Sequence, residues 1–301
     1  ELSLDQIRAI RNAVSCELEF FVHGALCVCY SGQCYLSEKI AGRSANRGAC
    51  IQACRSRYDL VDGNGKVIVR DKALLSLKDY NLKERIEELA DAGITSFKIE
   101  GRLKNESYVR NVVRDYSLEM DRIIGLDTSY ERGSWGKVAG GFKPDTTKTF
   151  NRGYTELFID GKKGQWASMD AAKSMGEEIG EIVSLNKEKS AVNVRLRKKE
   201  IQLNNGDGFS FVTRGGDVCG FRGDVCSGND IRCKANPELF VGARLFRNID
   251  VAFEKEIERN PGTRELLVDV NIDCRETGKI FVSARSEDGR VVSMRIECGE
   301  Q

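Results

Sequence analysis

Four cysteines crowd one short stretch of a 301-residue chain: Cys27, Cys34, Cys50 and Cys54, with six, fifteen and three residues between successive members. Thiols gathered in this way serve a disulfide, a zinc ion, an iron–sulfur cluster or a nucleophile, and each choice dictates how the surrounding backbone can fold. Gly24, Gly32 and Gly48 stand beside them and let backbone approach a compact object, where N–H groups can hydrogen-bond sulfide. Arg43, Arg47 and Arg55 lie close enough in sequence to offset a cluster's negative charge. Zinc sites more often use paired thiols two to four residues apart, and only Cys50 and Cys54 come near that. Were "ACIQACR" (49–55) helical, those two thiols would share one face. Spacing favours an iron–sulfur site and leaves zinc, or buried and disulfide-bonded thiols, as alternatives.

The rest of the chain supplies a frame for this segment. "SLDQIRAIRNAV" (3–14) has the pattern of an amphipathic helix with Ser3 as its N-cap. "ELEFFVHGAL" (17–26) is a largely apolar run, the kind buried in a parallel sheet. "YLSEKIAG" is a short helix within the cysteine stretch, and "YDLVDGNGKVIV" (58–69) is a hairpin around Asp62-Gly63-Asn64-Gly65. "LKERIEELADAG" (82–93) is a helix capped by Gly93, "ITSFKIEG" (94–101) a strand, and "ESYVRNVVRDYSLEMDRII" (106–124) a long amphipathic helix. Strand and helix alternating in this way imply parallel βα units. Residues 126–175 are Gly-rich and polar and are expected to connect this α/β part to a second one. Short β-runs between about 176 and 250, separated by Gly and Asn, suggest a small β-barrel, and residues 251–301 open a further β-containing domain.

Composition narrows the setting. No apolar run approaches the roughly 18 residues of a membrane span. Eleven cysteines are an odd number and too sparse for a secreted disulfide scaffold, so a reducing, cytoplasmic setting with some thiols as ligands is expected. The 47 Lys and Arg nearly cancel the 46 Asp and Glu, and global charge announces no nucleic acid. Locally it differs: residues 39–72 hold eight Lys or Arg against three Asp or Glu. That stretch is either a solvated rim or a phosphate-contacting face.

The segments "ELEFFVHGALCVCYSGQCYLS" (17–37), "GRSANRGACIQACR" (42–55) and "SFKIEGRLKNESYV" (96–109) resemble the collagenase-like peptidase family. Its signature is Glu, one residue, Phe, two residues, Gly-Ala-Leu-Cys, four residues, Gly, one residue, Cys, one residue, Leu-Ser. The chain meets it at every position from Glu19 to Ser37. "FNRGYTELF" (150–158), "ASMD" (167–170) and "GDGFSFVTRGGDVCGFR" (206–222) extend the resemblance to members that hydroxylate a cytidine of large-subunit ribosomal RNA. What the resemblance implies is the later portion of a TIM-type barrel followed by a small β-barrel. It further implies a 4Fe–4S cluster on Cys27, Cys34, Cys50 and Cys54, oxygen-independent hydroxylation of an RNA base, and prephenate as a co-substrate. The family barrel begins before the cluster strand, so a preceding N-terminal half of the barrel is an expected partner.

Other residues carry weaker signals. His23, the single histidine, precedes Gly24 at the C-terminal end of its strand, where barrels place active sites. Lys98, Glu100 and Arg102 close the next strand. Lys98 and Glu100 are expected on one side, as an interior ion pair or as substrate contacts. With His23 these three form the candidate catalytic set, and Arg43, Arg47, Arg55 and Arg57 the candidate substrate-binding set. Cys29 is expected on the opposite face of the strand as a small buried side chain. A peptidase is the competing reading, but no Gly-x-Ser-x-Gly elbow or His-Glu-x-x-His is present.

Overall fold

The computed structural model describes residues 2–161, 166–169, 172 and 174–298. It is a mixed α/β structure of two units, Glu1–Met120 with Pro144–Lys255, and Asp121–Lys143 with Glu256–Gln301.

In the first unit, α1 (Leu4–Ala13) begins at a capping box. The Ser3 hydroxyl accepts from the Gln6 N–H, and the Gln6 side chain accepts from the Ser3 N–H. β1 (Glu19–Ala25) follows, then α2 (Leu36–Ala41) inside the cysteine segment, and the hairpin of β2 (Tyr58–Val61) and β3 (Val67–Lys72). β4 (Asp79–Asn81), α3 (Ile86–Asp91), β5 (Ser96–Ile99) and α4 (Glu106–Leu126) complete the run. After β6 (Lys137–Ala139), which belongs to the second unit, comes β7 (Tyr154–Thr155).

These strands form a four-stranded sheet in the order β5-β1-β4-β7. β1 and β5 pair in parallel, as the strand–helix alternation implies, but β1 and β4 are antiparallel. The reason is the route of the chain. Residues 26–78 cross no helix on the far side of the sheet; they loop over one end and re-enter from that same end, which forces the opposite direction. Val22, Tyr80, Leu82, Tyr108, Val112 and Tyr116 are buried around this sheet. Two glycines set close approaches. Gly24 has φ +109°, and a Cβ there would stand 2.6 Å from the Glu100 carbonyl oxygen. Gly93 has φ +93°, and a Cβ would collide with the Arg11 stem at 2.3 Å.

The same unit contains a seven-stranded antiparallel sheet in the order β11-β10-β14-β8-β9-β13-β12. Its strands are β8 (Glu177–Leu185), β9 (Ala191–Leu196), β10 (Gly208–Val212), β11 (Val218–Arg222), β12 (Val225–Ser227), β13 (Asp230–Arg232) and β14 (Arg244–Ile249), followed by α5 (Val251–Arg259). Alternate residues converge on one core that includes Ile179, Ile182, Val194, Phe209, Phe211, Ile231 and Leu245. The sheet wraps this core as the barrel pattern suggests. Among the described residues no ladder joins β11 to β12, so the hydrogen-bonding is that of an open sheet.

In the second unit β6 pairs with β15 (Thr263–Glu265), and β16 (Val268–Asp273), β17 (Lys279–Ser286) and β18 (Val291–Glu297) form an antiparallel meander.

Candidate functional site

One end of the four-stranded sheet gathers most of the chemistry. The register pairs Ala25 at the end of β1 with Asp79 at the start of β4, and Asp79 with Tyr154 at the start of β7. The C-terminal end of β5 delivers Glu100, whose N–H donates to the His23 carbonyl at 2.8 Å. Cys27, Glu100, Asp79 and Arg152 therefore leave the sheet at the same end.

The cysteine segment lies over that end with little apolar support. Between Leu26 and Arg57 only Ser37 and Ala53 are buried. Polar ties hold it instead. The Cys34 N–H donates to Asn46 Oδ1 at 3.0 Å, and the Ile51 N–H to Ser37 Oγ at 3.2 Å. The Gln52 N–H points at Cys50 Sγ, 3.3 Å away. Gln52 itself is left-handed at φ +57°, so residues 49–55 are not a helix; a short 3₁₀ turn covers Ala53–Arg55 only. That turn at Gln52 aims a peptide N–H at sulfur, which a continuous helix would have spent on its own ladder.

Cys27, Cys34, Cys50 and Cys54 are all free. Burial raises the Cys54 thiol above its ordinary range, the Arg55 cation works against this, and Cys27, Cys50 and Cys34 raise it further. Cys54 thus feels the other three candidate ligands at once. Among the described residues no three His, Cys, Asp or Glu side chains converge tightly enough to hold one metal ion. A single tetrahedral ion needs thiolates about 3.8 Å apart at a Zn–S distance of about 2.3 Å. A cubane takes one thiolate per iron and spreads its four ligands more widely. Four free thiols, with an N–H aimed at the sulfur of Cys50, are the donor type that the larger group takes.

Two of the four candidate arginines are used inside the protein. Arg55 donates to the Leu26 carbonyl at 2.7 Å, to Ser76 Oγ at 2.9 Å and to the Leu77 carbonyl at 2.5 Å. It clamps the peptide before Cys27 to the strand-like segment before β4. Arg57 pairs with Asp71 at 2.9 Å and with Asp217, and donates to the Gly216 carbonyl at 2.6 Å. Arg43 and Arg47 are exposed.

The candidate catalytic residues separate. His23 is 1% exposed and packed among Tyr108, Tyr116 and Tyr154, with ring centroids 5.5–6.2 Å away. Burial lowers its pKa to about 4, with the Asn81 amide pulling the other way. Neither ring nitrogen has a hydrogen-bond partner of normal geometry among the described residues. Lys98 does not pair with Glu100: it faces solvent, 4.0 Å from Glu19. The Glu100 carboxylate instead accepts from the Arg102 N–H at 2.9 Å, and its carbonyl from the Tyr108 hydroxyl at 3.1 Å. Arg102 is exposed.

Three charged residues at this end escape sequence reasoning. Arg152, 8% exposed, bonds Asp79 at 3.0 Å, and Lys104 lies 3.2 Å above the Phe150 ring. Burial lowers the Lys104 pKa, as do the Arg152 and Arg55 cations, while Asp79 and Glu100 oppose them. Lys104 and Arg152 lie within "SFKIEGRLKNESYV" and "FNRGYTELF"; that membership was the available signal.

Beside the thiols lies a cavity of about 340 Å³ lined by Cys27, Val28, Cys29, Tyr30, Leu77, Leu157, Phe158 and Trp166. β1 stops at Ala25, so Cys29 does not continue a strand; it is half-exposed in the cavity wall rather than buried on the opposite face. The Lys78 N–H donates to the Trp166 carbonyl at 2.8 Å and the Ser168 N–H to the Ser76 carbonyl at 2.8 Å. This added ladder holds the indole at the cavity. Phe158 adopts φ +72°, a costly conformation for a bulky residue. Asp170, which closes the "ASMD" match, lies outside the described residues.

Comparison with known proteins adds the relatives of this arrangement. The profile of peptidase family U32 matches residues 1–168. The 23S rRNA 5-hydroxycytidine C2501 synthase of Escherichia coli is 39% identical over 96% of this chain and 45% of its own. The tRNA hydroxylation protein P1 of Bacillus subtilis is 32% identical over 65% of this chain and 47% of its own. A collagenase of Porphyromonas gingivalis is 33% identical over 55% of this chain and 42% of its own. The chain spans about half the length of the curated relatives it matches.

Proposed function

Because the chain belongs to peptidase family U32, we propose that it is the cysteine-bearing portion of an enzyme that hydroxylates an RNA base, a cytidine of 23S ribosomal RNA above all. The observation that carries this reading is the aromatic cavity that shares Cys27 with the four-thiol set. A base cannot be modified while stacked in a duplex, so it must be unpaired or flipped. Aromatic faces such as Tyr30, Phe158 and Trp166 replace the lost stacking at about 1–3 kcal/mol per base.

Cys27, Cys34, Cys50 and Cys54 would hold a 4Fe–4S cluster, at what is proposed to be the open end of a TIM-type barrel completed by further sequence. Such a cluster supplies one-electron transfer and Lewis acidity beside the bound base. The chain's own residues do the positioning. Arg55 fixes the Leu26–Cys27 peptide against the cavity wall at Leu77. Arg43 and Arg47 are free to hold phosphates flanking the base. Prephenate enters as a proposed co-substrate on the family resemblance alone, and a cytoplasmic setting on cysteine usage. No helix among the described residues is long and apolar enough to cross a membrane.

The collagenase relatives keep a peptidase in view. A cysteine peptidase needs a base beside its thiol, and the one histidine is buried among tyrosines.

In a cell lacking the full-length enzyme, complementation by the wild-type gene should restore one ribosomal nucleotide heavier by one oxygen atom. Identical RNA from complemented and deleted cells, with cleavage of a protein substrate, would instead establish the peptidase.

A further inference from the structure

A second hollow, of about 570 Å³, lies on the seven-stranded sheet and shares no lining residue with the thiol cavity. It is formed by the segment that follows β9, with the β12–β13 turn at Gly228 and Asn229 on its other side. Arg195, Lys198 and Lys199 line it together with the amides of Gln202, Asn204 and Asn229. Among the described residues no carboxylate lines it. Glu200, the single acidic residue between positions 195 and 204, is not part of its lining.

The hollow is held by interactions on its buried side. Arg247, 4% exposed, donates to the Gln202 carbonyl at 2.8 Å and pairs with Glu177, Asp207 and Asp250. Asp207 also accepts from the Asn204 N–H at 3.0 Å. Asp207 is fully buried and engaged by Arg247 and by the Asn204 and Val251 N–H groups, and it does not line the hollow. Arg195 is bound to Glu181 and Arg197 to Glu178, whereas Lys198 and Lys199 are exposed and have no ion pair among the described residues.

We infer that this hollow is a second RNA-contact site, in which Lys198 and Lys199 bind backbone phosphates and the amides of Gln202, Asn204 and Asn229 meet sugar hydroxyls or base edges. An acidic peptide could pair with the same lysines and amides; RNA is favoured because the proposed reaction already brings a polyanionic strand to this protein. A ribose–phosphate backbone offers anionic oxygens and 2′-hydroxyls together. The inference rests on the RNA-hydroxylase reading and adds to it a contact outside the base cavity: one site receives the base, the other grips flanking strand.

The test is the salt dependence of binding to a short single-stranded RNA of ribosomal sequence, followed by fluorescence anisotropy. Each phosphate contact contributes about 0.7 to the slope of log affinity against log salt on single strands. The double variant K198A/K199A should lower that slope by about 1.4. Between 50 and 200 mM salt the wild type then loses about sevenfold more affinity than the variant. K198Q/K199Q should behave alike, and both should keep the wild-type thermal transition. RNA that binds the wild type while both variants keep its full slope overturns this inference and leaves the hydroxylase reading standing. A wild type that binds no RNA at any salt defeats both. Polyglutamate that competes as well as RNA of equal charge, and loses that ability with the lysines, reassigns the hollow to an acidic protein.

Discussion

The seven-stranded sheet and the cysteine segment are held together by different physics. In the sheet, Ile179, Ile182, Val194, Phe209, Phe211, Ile231 and Leu245 are all fully buried, and apolar burial stabilises it by roughly 1.5–3 kcal/mol for each large side chain. Even its buried charge, Arg247, is surrounded by three carboxylates. Across residues 26–57 almost nothing apolar is buried, and Tyr30, Tyr35 and Ile40 are more than half exposed. Polar ties alone offset little of a segment's ordering entropy, so ligation by its thiols should supply much of the order here. The contrast teaches that the sheet should fold by itself, while the cysteine segment depends on what its thiols bind.

Removing a ligand is the sharpest way to break this contrast. Cys27→Ser or Cys54→Ser should abolish iron and sulfide content and the visible absorbance of anaerobically purified protein. Amide exchange in residues 26–57 should then become fast, while protection in β8–β10 stays. Cys219→Ser should leave the absorbance intact. One zinc with no iron in the wild type would sink the cluster assignment. The converse variant, Phe209→Ala, should cost about 3–5 kcal/mol in the unfolding of the seven-stranded sheet without changing iron content. Loss of both together would mean that the two regions are not independent.

A smaller effect separates the sheet end from the segment above it. His23 is held neutral, with a pKa of about 4 against 6.5 in the unfolded chain. Below 6.5 the unfolded state takes up a proton that the native state refuses, so stability falls as the pH drops from 6.5 toward 4 and levels off below. The loss should be about 3 kcal/mol across that window. His23→Leu should flatten this part of the pH profile in denaturant melts, and an unchanged slope would show that another group is responsible.

The sequence made β1, β5, α1, α4 and the hairpin legible because their signals are local: alternation, period and caps. The Ser3 capping box and the Asp62-Gly63-Asn64-Gly65 turn are examples. β4 was not legible, since three residues in "LKDYN" take their direction from the path of residues 26–78 rather than from propensity. The gathering of cysteines, arginines and glycines was visible as a pattern. Their division of labour was not. Arg55 and Arg43 look alike in sequence, yet one is drawn inward by the Leu26 and Leu77 carbonyls and the other is exposed. Lys98 looked like the partner of Glu100 because strand alternation puts them on one face, but Glu100 lies beyond β5, where its carboxylate turns to the Arg102 N–H. Trp166 and Phe158 reach the cavity from residues far along the chain, and only tertiary ladders bring them there.

That cavity gives the smallest and most specific test. If it receives an unpaired base, Trp166→Ala should weaken binding of RNA carrying the target cytidine by about 1–3 kcal/mol, roughly 5- to 150-fold. The loss should shrink when the cytidine is replaced by an abasic site, since the variant then lacks only what the ligand lacks too. Salt dependence should stay at the wild-type slope, because stacking releases no counterions. Trp166→Phe should recover most of the loss, since a smaller aromatic face still stacks. Iron content should not move in either variant, because Trp166 touches the cavity wall and supplies no thiol. An equal loss with the abasic RNA would show that the indole supports the fold of the cavity rather than the base within it, and the aromatic wall would then belong with the apolar architecture of the sheet.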